Sequence, residues 1–122
     1  MFTKKILIKT KSKEISLELE VADTFIKKVI GLMFRKSLAK NQGMLFIFDK
    51  SGNYKIWNMF TLIPLDVIFI SEDKRIITIE KLSSSMFPSQ TVCSSESAKY
   101  ILEVNANFTK NHNILIGDKL IF

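Results

Sequence analysis

Cysteine, histidine, arginine, glycine and proline are all scarce in this chain. A single cysteine, Cys93, permits no intrachain disulfide and excludes a four-cysteine zinc site. A single histidine, His112, excludes a His-rich metal centre and a second-His relay. Four glycines and two prolines rule out collagen-like or linker-like sequence, and they form no phosphate-cradling loop. Arg35 and Arg75 are the only arginines. Lysine carries the remaining positive charge. It supplies solubility and non-specific attraction, without the planar fork that reads phosphates and guanine edges. Long apolar runs are missing as well. After Lys4 and Lys5 comes only Ile6-Leu7-Ile8, too short for the apolar region of a signal peptide. No stretch approaches the roughly 20 apolar residues of a membrane span. A cytoplasmic protein is the resulting expectation, and a reduced Cys93 fits it.

What is present reads as one globular domain, residues 1–122. Hydrophobic residues make up 47% and charged residues 25%, which separates the chain from disordered sequence. A chain of this size buries about two thirds of its unfolded surface, so it needs neither metal nor disulfide to fold. No metal and no cofactor is expected. The net charge is +6, from 18 basic and 12 acidic residues. Lys4, Lys5, Lys9, Lys11 and Lys13 form the densest basic stretch. A solvated edge strand guarded by lysines accounts for them better than a nucleic-acid surface does. Oligomeric state leaves no signal in the sequence.

Periodicity places the elements. Residues 5–10 and 14–21 read as two strands joined by Lys11-Ser12-Lys13. In the second, Ile15, Leu17, Leu19 and Val21 alternate with polar residues. Residues 23–34 switch to a helical period, with Phe25, Val29 and Leu32 on one face and Asp23 or Thr24 as N-cap. Gly31 there either permits close packing or ends the helix early. Residues 44–48 read as a buried strand, Asp49 to Asn53 as a turn, and 54–60 as the return strand carrying Trp57. Pro64 breaks the chain. Residues 66–71 and 75–82 form a hairpin. The Ser-rich segment 83–97 reads as a mobile loop, with Met86 and Phe87 able to pin its middle. Residues 98–105 and 113–122 close the chain as strands. About eight short strands and one helix predict a mainly β fold, a single antiparallel sandwich or barrel, with α+β as the alternative.

Several blocks then fall into one pattern. Gly31-Leu32-Met33 with Arg35 and Leu38 is followed by Gly43-Met44-Leu45-Phe46 and Phe48. Trp57 comes next, then Thr61-Leu62-Ile63-Pro64-Leu65-Asp66, Ile68-Phe69-Ile70, Ile101-Leu102-Glu103 and Gly117-Asp118. In this order and spacing the chain resembles the prokaryotic family known as domain of unknown function 192, over roughly residues 22–120. The resemblance implies a compact β-rich domain of jelly-roll-like architecture with a short helix, and no established activity. It also implies that Arg35, Trp57, Thr61 and Asp66 lie near one another. Two departures stand out. Where the family usually shows Met, a basic residue and Asn after the Trp, this chain has Asn58, Met59 and Phe60. A Gly common after the Leu-Glu strand is replaced by Asn107, or lies elsewhere in the loop.

Five residues are candidates for a ligand site: Arg35, Trp57, Thr61, Asp66 and Glu103. Asp66 opens an apolar strand and must find partners. It either accepts backbone N–H groups at the Pro turn or serves a site, and an Arg35–Asp66 ion pair would explain both residues structurally. Trp57 is a core aromatic or a flat platform for a sugar or base. Glu103 is either a solvated outward residue or a second carboxylate for hydrolysis with Asp66. Cys93 with His112 as base is a weak nucleophile signal lacking an orienting third residue. The expected function is a non-catalytic module for a small polar ligand, such as a saccharide or an anion. A hydrolase using the carboxylate pair and a nucleic-acid module are the alternatives.

Overall fold

The computed structural model describes residues 3–122. Strands β1 (Thr3–Lys9) and β2 (Glu14–Ala22) form the first hairpin, and α1 (Phe25–Ile30) follows. Then come β3 (Gln42–Gly52), β4 (Lys55–Trp57), β5 (Leu65–Ile70) and β6 (Ile76–Leu82). The chain continues with β7 (Thr91–Cys93), β8 (Ala98–Asn105), α2 (Phe108–Asn111) and β9 (Lys119–Ile121). Seven strands make one sheet in the order β6-β5-β8-β3-β2-β1-β9, while β4 and β7 form a separate two-stranded ribbon. The fold is mainly β, as the strand count predicts.

The sheet curls because its two edges meet at one end. The Ile76 N–H donates to the Asp118 carbonyl and the Leu120 N–H to the Lys74 carbonyl, each at 2.8 Å. The result is a half-barrel with apolar side chains on both faces. Inside, Ile6, Ile8, Leu17, Leu19, Leu45, Ile68, Leu102 and Leu120 pack with Phe108 of α2. Outside, Phe46, Leu65, Val67, Phe69, Leu82 and Ile101 pack under Leu32 and Val92. Strand β5, flanked by β6 and β8, serves both clusters, which is why all six of its residues are buried and why its sequence is an unbroken apolar run after Asp66.

The structure departs from the sequence reading at several points. Pairing is antiparallel throughout the sheet except between β2 and β3, which run parallel. A parallel pair needs a long crossover, and residues 23–41 provide it. The helix expected over 23–34 is shorter, since Gly31 at φ +49° ends it. A second short helix, α2, lies between the last two strands. Residues 49–52 continue β3 instead of turning, and the return segment pairs with β7 instead of β3. The Ser-rich segment is not a free loop. It contains β7, and Asn58 ties it down: Ser83 O accepts from Asn58 Nδ2 at 3.1 Å, and the Ser89 and Gln90 N–H groups donate to Asn58 Oδ1 at 2.9 and 3.0 Å. Met86 and Phe87 pin nothing; both side chains are exposed.

Candidate functional site

Helix α1 stands off the outer face of the sheet. Thr24 caps it, its Oγ1 accepting the Lys27 N–H at 3.2 Å. No residue of α1 is buried, and Phe25 is 81% exposed. The apolar period that marks Phe25 and Val29 as core positions therefore has another meaning here: these side chains line a cavity instead of filling one. Gly31 brings the chain back onto the sheet. A Cβ at that position would meet the Phe46 ring at 3.2 Å.

The opposite wall is the end of β3, the turn after it and β4. Tyr54 stacks on Phe48 with ring centroids 3.7 Å apart, and its hydroxyl donates to the Lys50 carbonyl at 2.5 Å. Trp57, half-exposed, sits at the end of β4. Beyond it, Asn58 is fully buried by its bonds to the 83–90 segment. Thr61 exchanges two backbone hydrogen bonds with Ser85, at 2.9 and 2.7 Å.

Between these walls lies a cavity of about 640 Å³. Phe46, Leu65 and Glu103 of the sheet form its floor; Trp57, Met59 and Thr61 lie along one side. Aromatic and aliphatic side chains dominate the lining, with Asp23, Lys28, Asp49 and Lys55 also contributing to it. A concave, mostly apolar site with few polar groups is the usual form of a small-molecule pocket.

Glu103 is the unusual member. It is only 4% exposed, and its neighbours across the sheet are Met44 and Val67. Among the described residues no group donates a hydrogen bond to its carboxylate and no cation pairs with it. Burial alone pushes its pKa up to about 7, because a desolvated carboxylate without donors favours its neutral form. Instead of the expected solvated outward face, Glu103 has 4% exposure on the outer face of β8, at the floor of the cavity that α1 and β4 border.

The other candidates divide. Trp57 and Thr61 line the cavity together with Glu103. Asp66 does not. It is fully buried and faces the inner side of the sheet, since its strand neighbours Leu65 and Val67 belong to the outer cluster. There it accepts the Asn107 N–H at 3.1 Å, the Thr109 N–H at 3.0 Å and the Thr109 hydroxyl at 2.7 Å. It caps α2 from β5, because the side chain of the N-cap residue Asn107 makes no capping bond and accepts from Lys81 Nζ at 3.2 Å instead. Asp66 and Glu103 consequently lie on opposite faces of the sheet and share no cavity. Arg35 does not pair with Asp66 either. It grips Glu20 through two bonds, Nη1 to Oε2 at 2.7 Å and Nη2 to Oε1 at 2.9 Å. This pair borders a separate cavity of about 210 Å³. Cys93 is exposed in β7 and forms no pair with His112, whose ring packs on Phe108. Among the described residues no group of three or more His, Cys, Asp or Glu is placed to hold a metal ion. No helix among them is long and apolar enough to cross a membrane.

Sequence reasoning missed the aromatic lining, Phe25, Phe46, Phe48 and Tyr54, and the anchor Asn58. A signal for the first existed: three of these aromatics lie within nine residues of one another around β3.

Fold and cleft together define a class, a small mainly β half-barrel with a ligand-sized apolar cleft on its outer face. The chain belongs to the family described as "Uncharacterized ACR", domain of unknown function 192, whose model matches residues 6–122 and so takes in β1 and β2 as well. A UPF0127 protein of Pyrococcus furiosus is 31% identical over 113 residues, 91% of each chain. A UPF0127 protein of Pyrococcus abyssi is 29% identical over 117 residues, 94% of each. Two crystal structures superpose with a TM-score of 0.91. One is a Sinorhizobium meliloti protein proposed by its name to be a transcription regulator, 30% identical, with 98% of this chain and 93% of that one covered. The other is a Novosphingobium aromaticivorans protein of unknown function, 26% identical, with 98% and 85% covered.

Proposed function

We propose that this protein is a one-domain, non-catalytic module that binds a small ligand in the cleft between α1 and the β4–β7 ribbon. One observation supports the reading above others: Glu103, a buried carboxylate without a protein donor, lies on the floor of a cavity walled by apolar side chains. No side-chain nitrogen or oxygen among the described residues is both sealed from solvent and without a partner, so this carboxylate still opens onto the cavity, where a partner from outside can reach it. The lining narrows the ligand. A free anion would meet a carboxylate, and a saccharide would find few polar partners on these walls. A ligand with an apolar body and one polar head suits them better. Asp66, the carboxylate expected to pair with Glu103, lies on the opposite face of the sheet, which favours binding over hydrolysis by that pair.

The name of the Sinorhizobium relative raises a nucleic-acid role. The features of this chain favour it less. Lys5 stands opposite Glu18 and Lys9 opposite Glu14, so alternating acids break the basic stretch. The helices, of six and four residues, are short for reading a major groove. A cytoplasmic setting belongs to the proposal and agrees with the exposed free thiol of Cys93.

The test is titration with N-phenyl-1-naphthylamine, a neutral apolar fluorophore with one N–H donor. Saturable binding with energy transfer from Trp57, the sole tryptophan, is the expected result. Val29→Trp, which fills the cavity, should abolish it. Non-saturating fluorescence, or binding untouched by Val29→Trp, would remove the cleft from consideration.

A further inference from the structure

Resting on that reading of the cleft, we propose that its ligand is an organic cation, an alkylammonium whose charged head lies against Glu103 and whose apolar chain runs along α1.

Glu103 has apolar neighbours within the sheet. Across the strands it meets Met44 and Val67, neither of which donates a hydrogen bond. The charged groups facing the same space come from each element around it: Asp23 ahead of α1, Lys28 within α1, Asp49 at the end of β3, and Lys55 on β4. Asp23 is itself paired with Lys27 at 3.9 Å, so with Glu103 the acids and bases are equal in number, and Glu103 is set apart by its burial in the apolar floor. Neither lysine answers it. Lys28 Nζ is drawn instead over the Phe48 ring, 4.4 Å from its centroid, and Lys55 forms no ion pair with it. An ionised carboxylate in apolar surroundings is strongly disfavoured unless a counter-charge arrives. With neither lysine in contact with Glu103, a cationic ligand can supply that counter-charge.

The walls point the same way. Phe25, Phe46, Phe48, Tyr54 and Trp57 all border the cavity. Aromatic faces attract cations, most strongly in desolvated sites and especially those with alkylated nitrogens. Lys28 over Phe48 shows that one of these rings already holds a cation on its face. Carboxylate and rings are complementary to one chemistry: a positive head with apolar substituents. A hydroxyl head would satisfy a hydrogen bond but leave the negative charge unbalanced. A carboxylate head would double it.

Three probes with the same eight-carbon order of tail test this: octyltrimethylammonium, octan-1-ol and octanoate, each titrated into the full chain below its aggregation threshold and followed by Trp57 fluorescence. At about pH 8 Glu103 is ionised. The cation should then bind at least about tenfold more tightly than the alcohol, and the alcohol more tightly than octanoate. Glu103→Gln should bring the cation down to the level of the alcohol and leave the alcohol unchanged, with circular dichroism and melting confirming the fold. If that variant does not fold, the order of the three probes on the unaltered protein decides the matter. Equal affinity for cation and alcohol, or a preference for octanoate, would overturn the proposal while leaving the cleft a ligand site. Failure of all three probes to bind would overturn both.

Discussion

The Thr109 hydroxyl and the Thr109 N–H converge on one oxygen of Asp66, at 2.7 and 3.0 Å, although β6, β7 and β8 separate the two residues in sequence. Asp66 is therefore the bolt that holds α2 against the inner core. Asp66→Asn places an NH₂ against donors or leaves them unpaired, and should destabilise the fold by about 1–3 kcal/mol. Urea denaturation measures it. A change under about 0.5 kcal/mol would show that α2 docks through Phe108 alone.

Asn58 plays the same part on the outer face. Its amide reaches Ser83 O and Ser89 Oγ, while its oxygen receives two N–H groups. Asn58→Ala should cost about 2–4 kcal/mol, several buried partners being left unmet. Amide exchange should accelerate across residues 83–90 and stay slow in β5. Uniform acceleration across both would mean that the anchor is global.

Glu103 makes stability depend on pH in the direction opposite to most carboxylates. Its folded pKa is raised to about 7 from 4.5, so between those values the folded state holds a proton that the unfolded state has released. Stability should fall as pH rises from about 4.5 to 7 and level off above, by about 3 kcal/mol in total. Asp23, Lys28, Asp49 and Lys55 face the same cavity, but burial is what raises the Glu103 midpoint. Melting curves of the unaltered protein and Glu103→Gln across this range provide the check: the variant should lose the slope and gain stability at pH 8.

Gly43 lies where three strands crowd together. A Cβ there would come within 2.4 Å of the Glu103 carbonyl and 2.9 Å of Val104 Cγ1, and neither atom belongs to a freely moving side chain end. Gly43→Ala should destabilise by about 2 kcal/mol or more. A fully stable alanine variant would show that β3 and β8 separate at little cost.

The strands were legible because their signal is local. Ile15, Leu17 and Leu19 alternate with polar residues and are all buried, and the 66–82 hairpin falls within a residue of its expected limits. Two left-handed residues differ in fit: Phe60 has φ +54° and Asn107 φ +70°. Left-handed backbone is tolerated best by Gly and Asn, so Asn107 suits its position and Phe60 is strained. Its ring stacks on Phe34, itself at φ +62°, with centroids 4.8 Å apart. What the sequence hid is which face each carboxylate takes. Asp66 and Glu103 both interrupt apolar runs, and only the β5–β8 register, pairing Asp66 with Val104 and Val67 with Glu103, sends them to opposite sides. Helix α1 was misjudged for a related reason: periodicity reports an apolar face and is silent on whether that face is covered.

The pairing of Leu7 with Ile121 and Ile8 with Leu120 has a consequence for the order of assembly. The β1–β2 hairpin forms from neighbouring residues, but the partner for its other edge comes from 119–121, far along the chain. During synthesis from the amino end, that edge stands open for as long as the intervening residues take to emerge. Long-range closures of this kind slow folding and prolong exposure to other chains. Lys4, Lys5 and Lys9, spaced along the waiting strand, hinder intermolecular pairing during that interval. The basic amino end then acts as a chaperoning charge, valuable chiefly before the native state exists.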